Sequence, residues 1–197
     1  MTYIYNKEDY RTENREIDFC NYYYFTDSFS DYEIEKIKKL GEKYPSEKGQ
    51  AGGEIREGYR KSKISWIPYN RESAWIYDRI RPKLIKANKI WKFDLHNFGE
   101  PLQYGEYNSK DKGNYDWHLD VGDENPWRKI SMSIQLSDPN DYEGGDLQFH
   151  KSKDVDTAPK EKGTIIFFPS FLCHRVTPVT KGVRHSLVTW ITGPPYR

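Results

Sequence analysis

The spacing of apolar residues changes from a helical period in the first half of the chain to a period of two in the second half. Ser30–Glu33 has the form of a capping box, in which a serine and a glutamate satisfy the first backbone N–H groups of a helix. Apolar residues at helical spacing follow it and predict a helix over 31–44. A second apolar stripe predicts a helix over 71–88, which Pro82 is expected to kink or split.

From residue 91 onward, apolar and polar residues alternate, as expected of strands that bury one face. Turn residues such as Gly, Asn and Asp-Pro separate the alternating segments. The strands expected there cover 91–96, 102–107, 115–120, 129–136, 145–150, 163–168, 173–177 and 184–192. Earlier strands are expected over 17–25 and 63–68. This pattern favours a sandwich or jelly roll, with the helices packed outside it.

Three polar stretches interrupt the pattern. Residues 46–62 mix both charges with several glycines, which predicts a long loop that is either a lid or a surface insertion. Residues 151–162 are expected to be a solvated connection, and residues 1–16 a loosely held arm. The chain is therefore predicted to be one α+β, mainly β domain over 1–197. Helical support covers about 1–90, and the jelly-roll core covers about 91–197.

Charge and cysteine content limit the binding partners and the cellular compartment that can be expected for this protein. The 31 basic and 30 acidic residues nearly cancel, so no global field draws the protein to nucleic acid or to acidic membranes. No apolar stretch has the length of a membrane span, and the start of the chain does not follow the signal-peptide pattern. Cys20 and Cys173 make no disulfide framework. We expect a cytoplasmic protein without a nucleic-acid or membrane partner.

The segment around His118 carries the clearest chemistry. His118 and Asp120 are two residues apart, so both side chains are expected on one face of a strand. His174, on a later strand, can supply a third ligand. Two histidines and a carboxylate that leave positions open are typical of non-haem Fe(II) oxygenases. An isolated His-x-Asp pair is more often only hydrogen-bonded, and Asp116 is a second candidate for the carboxylate.

Six short motifs in order resemble the 2-oxoglutarate- and Fe(II)-dependent oxygenases, and within them the prolyl 4-hydroxylase-like group that includes the PKHD-type hydroxylases. The motifs are His118-x-Asp120, DYEGGDL over 141–147, Phe168-Pro169-Ser170, His174-Arg175-Val176-x-Pro178-Val179, Gly182-x-Arg184, and Trp190 followed by Gly193-Pro194. They fall between Leu102 and Arg197, about half of the chain. The resemblance implies a double-stranded β-helix, or jelly roll.

The resemblance also implies a cofactor site. His118, Asp120 and His174 are expected to bind one Fe(II). Arg184 is expected to bind the distal carboxylate of 2-oxoglutarate, which suits a planar guanidinium with two parallel N–H donors.

Further contacts are expected around these four residues. The resemblance implies that the Tyr107 hydroxyl contacts the distal carboxylate of 2-oxoglutarate. Gln135 is predicted to be a further polar contact with 2-oxoglutarate, since it shares its strand face with Ser131 and Ser133. Tyr115 and Trp190 are predicted to contact substrate, although ordinary core packing explains them equally well. Arg128 is predicted to bind a peptide carbonyl.

The activity implied by the resemblance is hydroxylation of an unactivated C–H bond. 2-Oxoglutarate and O2 are consumed, succinate and CO2 are formed, and ascorbate serves as a reductant. A prolyl residue in a protein or peptide is the expected substrate, and a free amino acid or other small molecule is the alternative. A nucleic-acid repair oxygenase is disfavoured, because those relatives carry a second arginine where Trp190 stands. The alternative from another class is a catalytically inactive jelly-roll binding module, which the intact ligand set disfavours.

Overall fold

The structure, a computed structural model, describes residues 21–49, 58–151 and 153–196. The predicted arm over 1–16 lies outside the described residues, as do Cys20 and the first part of the predicted strand over 17–25. Two α-helices are present in these ranges, α1 over Asp31–Glu42 and α2 over Ala74–Trp91. Among the described residues, no helix has the length and apolar character needed to cross a bilayer.

The capping box predicted for α1 is formed. The Ser30 backbone N–H donates to Glu33 Oε2 (2.9 Å), and the Glu33 backbone N–H donates to Ser30 Oγ (3.4 Å). Ile34 and Ile37 are fully buried on the inner face of the helix. The predicted helix is therefore confirmed, and it ends at Glu42 rather than at residue 44.

Pro82 lies inside α2 without dividing the helix. Proline has no N–H, so one backbone hydrogen bond is lost at that turn. Ile76 and Ile80 before it and Leu84 after it are buried in the same core, which holds both halves of the helix in place. The predicted second helix is confirmed, shifted toward the C-terminus.

Fourteen strands are present in the described part of the chain. They are β1 Tyr23–Phe25, β2 Glu47–Lys48, β3 Arg60–Lys61, β4 Lys63–Ile67, β5 Leu102–Asn108, β6 Asn114–His118, β7 Arg128–Gln135, β8 Glu143–Gly144, β9 Leu147–Lys151, β10 Asp154–Thr157, β11 Ile165–Pro169, β12 His174–Val176, β13 Val179–Lys181 and β14 Val183–Thr192. A seven-stranded sheet has the order β1-β11-β7-β14-β5-β4-β2, and a five-stranded sheet has the order β10-β9-β12-β6-β3. β8 and β13 form a separate antiparallel ribbon.

The main core lies between the two helices and one face of the seven-stranded sheet. On β7, Ile130, Met132 and Ile134 are completely buried in the cluster that also contains residues of α1 and α2. The alternate residues of β7, which include Ser131 and Gln135, point to the other face of the sheet. This arrangement confirms the prediction that the helices pack on one sheet. The single-domain organisation stays a prediction.

The strand predicted over 91–96 is wrong. Trp91 is the last residue of α2, and Lys92 ends the helix in a left-handed conformation (φ 55°). The Asn88 side chain then bonds both the backbone N–H and the carbonyl of Phe93. Alternating aromatic residues there pack around a helix end rather than along a strand, and the strands of the second half begin at Leu102.

Two predicted loops contain short strands instead. Within 46–62, β2 pairs with β4 and β3 pairs with β6, while residues 50–57 lie outside the described residues. Within 151–162, β10 pairs with β9. These strands lie at sheet edges and carry charged residues on most positions, so alternation does not reveal them.

Candidate metal centre

Two histidines meet where β6 and β12 lie side by side. His118 ends β6, His174 begins β12, and the antiparallel register places them opposite each other, with ring centroids 4.1 Å apart. Nδ1 of His118 is 2.7 Å from the carbonyl oxygen of Asp116, and Nδ1 of His174 is 2.8 Å from that of Leu172. Because a carbonyl oxygen only accepts, each Nδ1 carries the proton. Each Nε2 lone pair is therefore available to a metal.

Asp120 faces both histidines from the turn that follows β6. Its Oδ1 is 3.6 Å from His118 Nε2, and its Oδ2 is 3.5 Å from His174 Nε2. The backbone N–H of Asp120 donates to the Ser170 carbonyl (2.9 Å), and the Ser131 hydroxyl donates to Oδ2 (2.6 Å). The predicted strand over 115–120 ends at His118, so these two contacts, rather than strand alternation, orient the carboxylate.

The three side chains form a ligand set of the size that one metal ion needs. One ligand atom from each of His118, Asp120 and His174 lies within 4.8 Å of the other two. In the described ranges, no other group of three His, Cys, Asp or Glu side chains comes together in this way. Asp116 accepts the backbone N–H of Trp117 (2.8 Å) instead, so Asp120 is the carboxylate of the set.

Burial and mutual charge set the protonation of the ligands. Burial alone raises the pKa of Asp120, but the charges of His174, His118 and Arg128 and the Ser131 hydrogen bond outweigh burial and lower it below its usual value. Burial, with the neighbouring His174, lowers the pKa of His118. At neutral pH the site therefore offers an anionic carboxylate beside a neutral His118 imidazole, as a divalent metal requires.

Arg184 is a buried cation in the same region, with 1% of its surface exposed. Its Nη2 donates to Gln135 Oε1 (3.0 Å), and its guanidinium lies 5.3 Å from the centre of the Tyr107 ring. Nε and Nη1 have no hydrogen-bond partner among the described residues. Burying unpaired donors of a cation is costly, so these two nitrogens mark a place for an anion.

A pocket of about 260 Å³ connects the metal ligands to Arg184. Eight of the nine site residues predicted from the sequence line this pocket. The eight are Tyr107, Tyr115, His118, Asp120, Arg128, His174, Arg184 and Trp190. Gln135 is the exception: it touches Arg184 but is not part of the described lining.

The segment that carries this pocket matches a known family. Residues 102–192, from β5 to the end of β14, match the family model of the 2OG-Fe(II) oxygenase superfamily. The family predicted from the short motifs is therefore confirmed.

Relatives of this chain in sequence include PKHD-type hydroxylases. The chain is 30% identical over 132 residues to the one from Idiomarina loihiensis, which covers 64% of this chain and 53% of the relative. It is 39% identical over 62 residues to one from a Synechococcus strain, which covers 32% of this chain and 28% of the relative. The chain thus spans less than two thirds of the length of these relatives.

Solved prolyl hydroxylases share the fold. The enzyme from Trichoplax adhaerens superposes with a TM-score of 0.72 at 15% identity, covering 87% of this chain and 83% of that one. The prolyl-4-hydroxylase from Pseudomonas putida gives 0.70 at 16% identity, covering 88% and 93%. The predicted double-stranded β-helix is confirmed.

The site fits the two groups in the superfamily's name, Fe(II) and 2-oxoglutarate. Two imidazole nitrogens and one carboxylate on one side of a pocket are the ligand set of non-haem Fe(II) oxygenases. 2-Oxoglutarate carries two carboxylates, and the unpaired Nε and Nη1 of Arg184 are buried donors that a carboxylate would satisfy.

Tyr115 packs on His118, one of the three candidate metal ligands. Its ring stacks on His118 with centroids 3.5 Å apart and an interplanar angle of 15°. The guanidinium of Arg60 lies over the Tyr115 ring at 4.4 Å, and Arg60 Nη2 donates to Gln103 Oε1 (2.8 Å). Burial raises the pKa of Tyr115, so the phenol is neutral. This packing restrains the His118 ring, while a contact of Tyr115 with substrate stays a prediction.

Arg128 is held between Glu100 and the turn that bears Asp120. Its Nε and Nη2 donate to the two carboxylate oxygens of Glu100 (2.6 Å each), and its Nη1 donates to the Asp120 carbonyl (3.1 Å). Its guanidinium also lies 3.8 Å from the centre of the Trp190 ring. These contacts give Arg128 a role in fixing the Asp120 turn. Its predicted contact with a peptide carbonyl stays a prediction.

Four residues of this site were not predicted as site residues from the sequence: Ser131, Ser170, Glu100 and Arg60. Ser170 was identified only as part of the Phe168-Pro169-Ser170 motif. Ser131 could have been predicted, because the alternation along β7 places it on the same polar face as Gln135. Glu100 and Arg60 had none. Their partners are distant in sequence, and only the folded sheets bring them together.

Proposed function

We propose that the protein is a 2-oxoglutarate- and Fe(II)-dependent dioxygenase that hydroxylates a prolyl residue in a protein or peptide. The observation that carries the proposal is the shared pocket. The ligand atoms of His118, Asp120 and His174 converge within 4.8 Å, and the same pocket is lined by a buried arginine, Arg184, with two unpaired nitrogens.

Fe(II), 2-oxoglutarate and O2 supply the chemistry when bound: 2-oxoglutarate becomes succinate and CO2, and one oxygen atom of O2 converts a substrate C–H into C–OH. His118 and His174 would hold the metal through Nε2, since their Nδ1 protons are engaged by backbone carbonyls. Asp120 offsets part of the metal charge. Arg184 binds the distal carboxylate of 2-oxoglutarate and sets its direction in the pocket.

Apolar side chains of the pocket wall exclude water from the reacting atoms. Leu147, Phe168 and Val176 line the pocket beside the ligands and are each buried. A dry wall strengthens the attraction between Arg184 and an anion, since charges interact more strongly at low dielectric.

Aromatic residues support a prolyl substrate. Trp190 and Trp66 line the pocket with ring centroids 6.4 Å apart, and Tyr115 lines it beside His118. A pyrrolidine ring packs well on such faces. Trp190 Nε1 is buried without a partner among the described residues and can donate to a peptide carbonyl. The sequence relatives are named PKHD-type hydroxylases, and the Trichoplax enzyme was solved with a hypoxia-inducible-factor peptide fragment.

The test is succinate formation from 2-oxoglutarate under air with Fe(II), with and without proline-containing peptides, in wild-type protein and in His174→Ala. We expect turnover that requires Fe(II) and His174, rises with peptide and adds one oxygen atom to a prolyl residue. Turnover that rises only with free amino acids would mean that the substrate is a small molecule rather than a protein or peptide. If the well-folded protein neither binds nor turns over 2-oxoglutarate, the alternative of a catalytically inactive jelly-roll binding module would be favoured.

A further inference from the structure

Gln135, at the end of β7, is fixed at both ends of its side-chain amide. Its Oε1 accepts from Arg184 Nη2 (3.0 Å), and its Nε2 donates to the carbonyl oxygen of Pro159 (3.0 Å). A guanidinium only donates and a carbonyl only accepts, so the amide fits these two partners in one orientation. Turning it over would place a donor against the cation and an acceptor against the carbonyl.

The backbone around Gln135 is fixed as well. Its N–H donates to the Thr164 carbonyl (3.0 Å), and its own carbonyl accepts from the Gly163 N–H (2.9 Å). Gly163 has a positive φ of 82° that glycine adopts without strain. Gln135 is 1% exposed and does not belong to the described pocket lining. It therefore acts on the pocket only through the residue it touches there, Arg184.

The remaining surroundings of Arg184 do not hold its guanidinium by hydrogen bonds. Among the described residues, Nη2 is its one nitrogen with a hydrogen-bond partner, and that partner is Gln135. The Tyr107 ring supplies only a face at 5.3 Å. Among the described residues, the one hydrogen bond that orients this buried guanidinium therefore comes from the Gln135 amide oxygen.

We propose that Gln135 is a positioning residue that holds the Arg184 guanidinium so that Nε and Nη1 stay available for the distal carboxylate of 2-oxoglutarate. This inference rests on the proposed function. It also reassigns Gln135: in place of the direct contact with 2-oxoglutarate predicted from the sequence, the residue acts through Arg184.

Two substitutions separate this role from a merely structural one. Gln135→Leu removes the acceptor at similar size and lets the guanidinium turn. Gln135→Glu keeps the shape and the acceptor for Arg184, although it loses the donor to the Pro159 carbonyl. Its carboxylate pairs with Arg184 and neutralises the charge that attracts 2-oxoglutarate. A structural role makes Gln135→Glu the milder change, because it retains a hydrogen bond to Arg184. A positioning role makes it the more severe change for an anionic ligand.

The measurement is calorimetric titration of 2-oxoglutarate into the Fe(II)-loaded 197-residue protein without O2. It is repeated with 2-oxobutyrate, which has the same keto-acid end but no distal carboxylate. We expect the Kd for 2-oxoglutarate to rise roughly tenfold in Gln135→Leu and by roughly a hundredfold in Gln135→Glu, from the loss of a charge-assisted hydrogen bond and of the net cation. Affinity for 2-oxobutyrate stays unchanged in both variants.

Gln148 provides a matched control, because its Oε1 accepts from Arg175 Nε (2.8 Å) and neither residue lines the pocket. Gln148→Leu and Gln148→Glu should leave the Kd for 2-oxoglutarate unchanged. Wild-type protein that fails to bind 2-oxoglutarate would overturn the proposed function itself. Wild-type binding with equal affinity in the Gln135 variants, or parallel losses for both keto acids, would overturn the positioning role alone.

Discussion

The hydroxyl of Ser131 donates to Oδ2 of Asp120 over 2.6 Å, and this bond joins the two main sheets at the metal centre. Ser131 belongs to β7 of the seven-stranded sheet, while Asp120 follows β6 of the five-stranded sheet. Ser131 Oγ is also 3.0 Å from Ser170 Oγ, and both side chains are completely buried. The position of the carboxylate ligand therefore depends on how the sheets pack, and not only on the His-x-Asp motif.

Ser131→Ala should weaken metal binding. The substitution removes the hydrogen bond that orients Asp120 while leaving all three ligands, and loss of such outer contacts lowers metal affinity roughly tenfold or more. Calorimetric titration with Mn(II) would measure the change. Ser133→Ala is the control, since Ser133 is likewise buried on the inward face of β7 but is not bonded to Asp120. Equal Mn(II) affinity in wild type and Ser131→Ala would contradict the positioning of Asp120 by Ser131.

Local pattern predicted the parts of the fold that local forces determine. The capping box at Ser30 located α1, and alternation located β7 together with the polar face that holds Ser131 and Gln135. Spacing and family motifs pointed to His118 and His174, which the structure brings together at the pocket. The alternation of apolar residues over 91–96 wrongly predicted a strand. Helix α2 instead continues to Trp91, and the apolar side chains of this segment pack against the core around the end of the helix.

Contacts between residues distant in the chain could not be predicted in this way. The pairing of Arg128 with Glu100 and the bond between Gln135 and Arg184 join residues 28 and 49 positions apart. Nothing in the local sequence specifies such partners, because they depend on which strands become neighbours. The sequence therefore predicted residues that line one pocket, while the sheet packing decided which of them touch.

Gly145→Ala should lower affinity for 2-oxoglutarate by displacing Arg184. A Cβ at Gly145 would lie 2.8 Å from Arg184 Cδ, and the backbone there has a φ of 62°. The left-handed backbone alone costs an alanine about 1–2 kcal/mol in folding stability. Gly58→Ala separates the two effects, since Gly58 has a φ of 79° but no described residue lies within 4 Å of the added Cβ.

Titration of 2-oxoglutarate and urea unfolding of both glycine variants would measure these effects. We expect both variants to lose folding stability, and Gly145→Ala to lose more because its Cβ is crowded. The Kd for 2-oxoglutarate should rise in Gly145→Ala only. If both variants bound 2-oxoglutarate as wild type does, Gly145 would not be making room for Arg184.

His185 should contribute to acid sensitivity. Burial lowers the pKa of His185 below its ordinary value of 6.5, although Glu106 opposes the shift. The unfolded chain then binds a proton that the folded chain does not, so this part of the stability is complete above pH 6.5 and is lost as pH falls below it. The slope from one such group is at most about 1.4 kcal/mol per pH unit.

Urea unfolding of wild type and His185→Gln without metal, between about pH 7.5 and pH 5.5, would check this expectation. The stability of wild type should fall more steeply than that of the variant as the solution is acidified. Parallel curves would show that His185 does not carry this pH dependence.

Trp190→Phe should weaken substrate binding without changing cosubstrate binding. Phenylalanine keeps an aromatic face for Arg128, which lies 3.8 Å from the ring centre, but it removes the buried Nε1 donor that lacks a partner among the described residues. Loss of one neutral hydrogen bond predicts a KM for the peptide roughly two- to tenfold higher. The Kd for 2-oxoglutarate should stay the same.

Trp75→Phe is the matched control, because Trp75 does not line the pocket. Its Nε1 is also buried without a described partner, and Lys36 lies 4.8 Å from its ring centre. A peptide KM that changes equally in both variants would mean that the Trp190 donor does not meet the substrate.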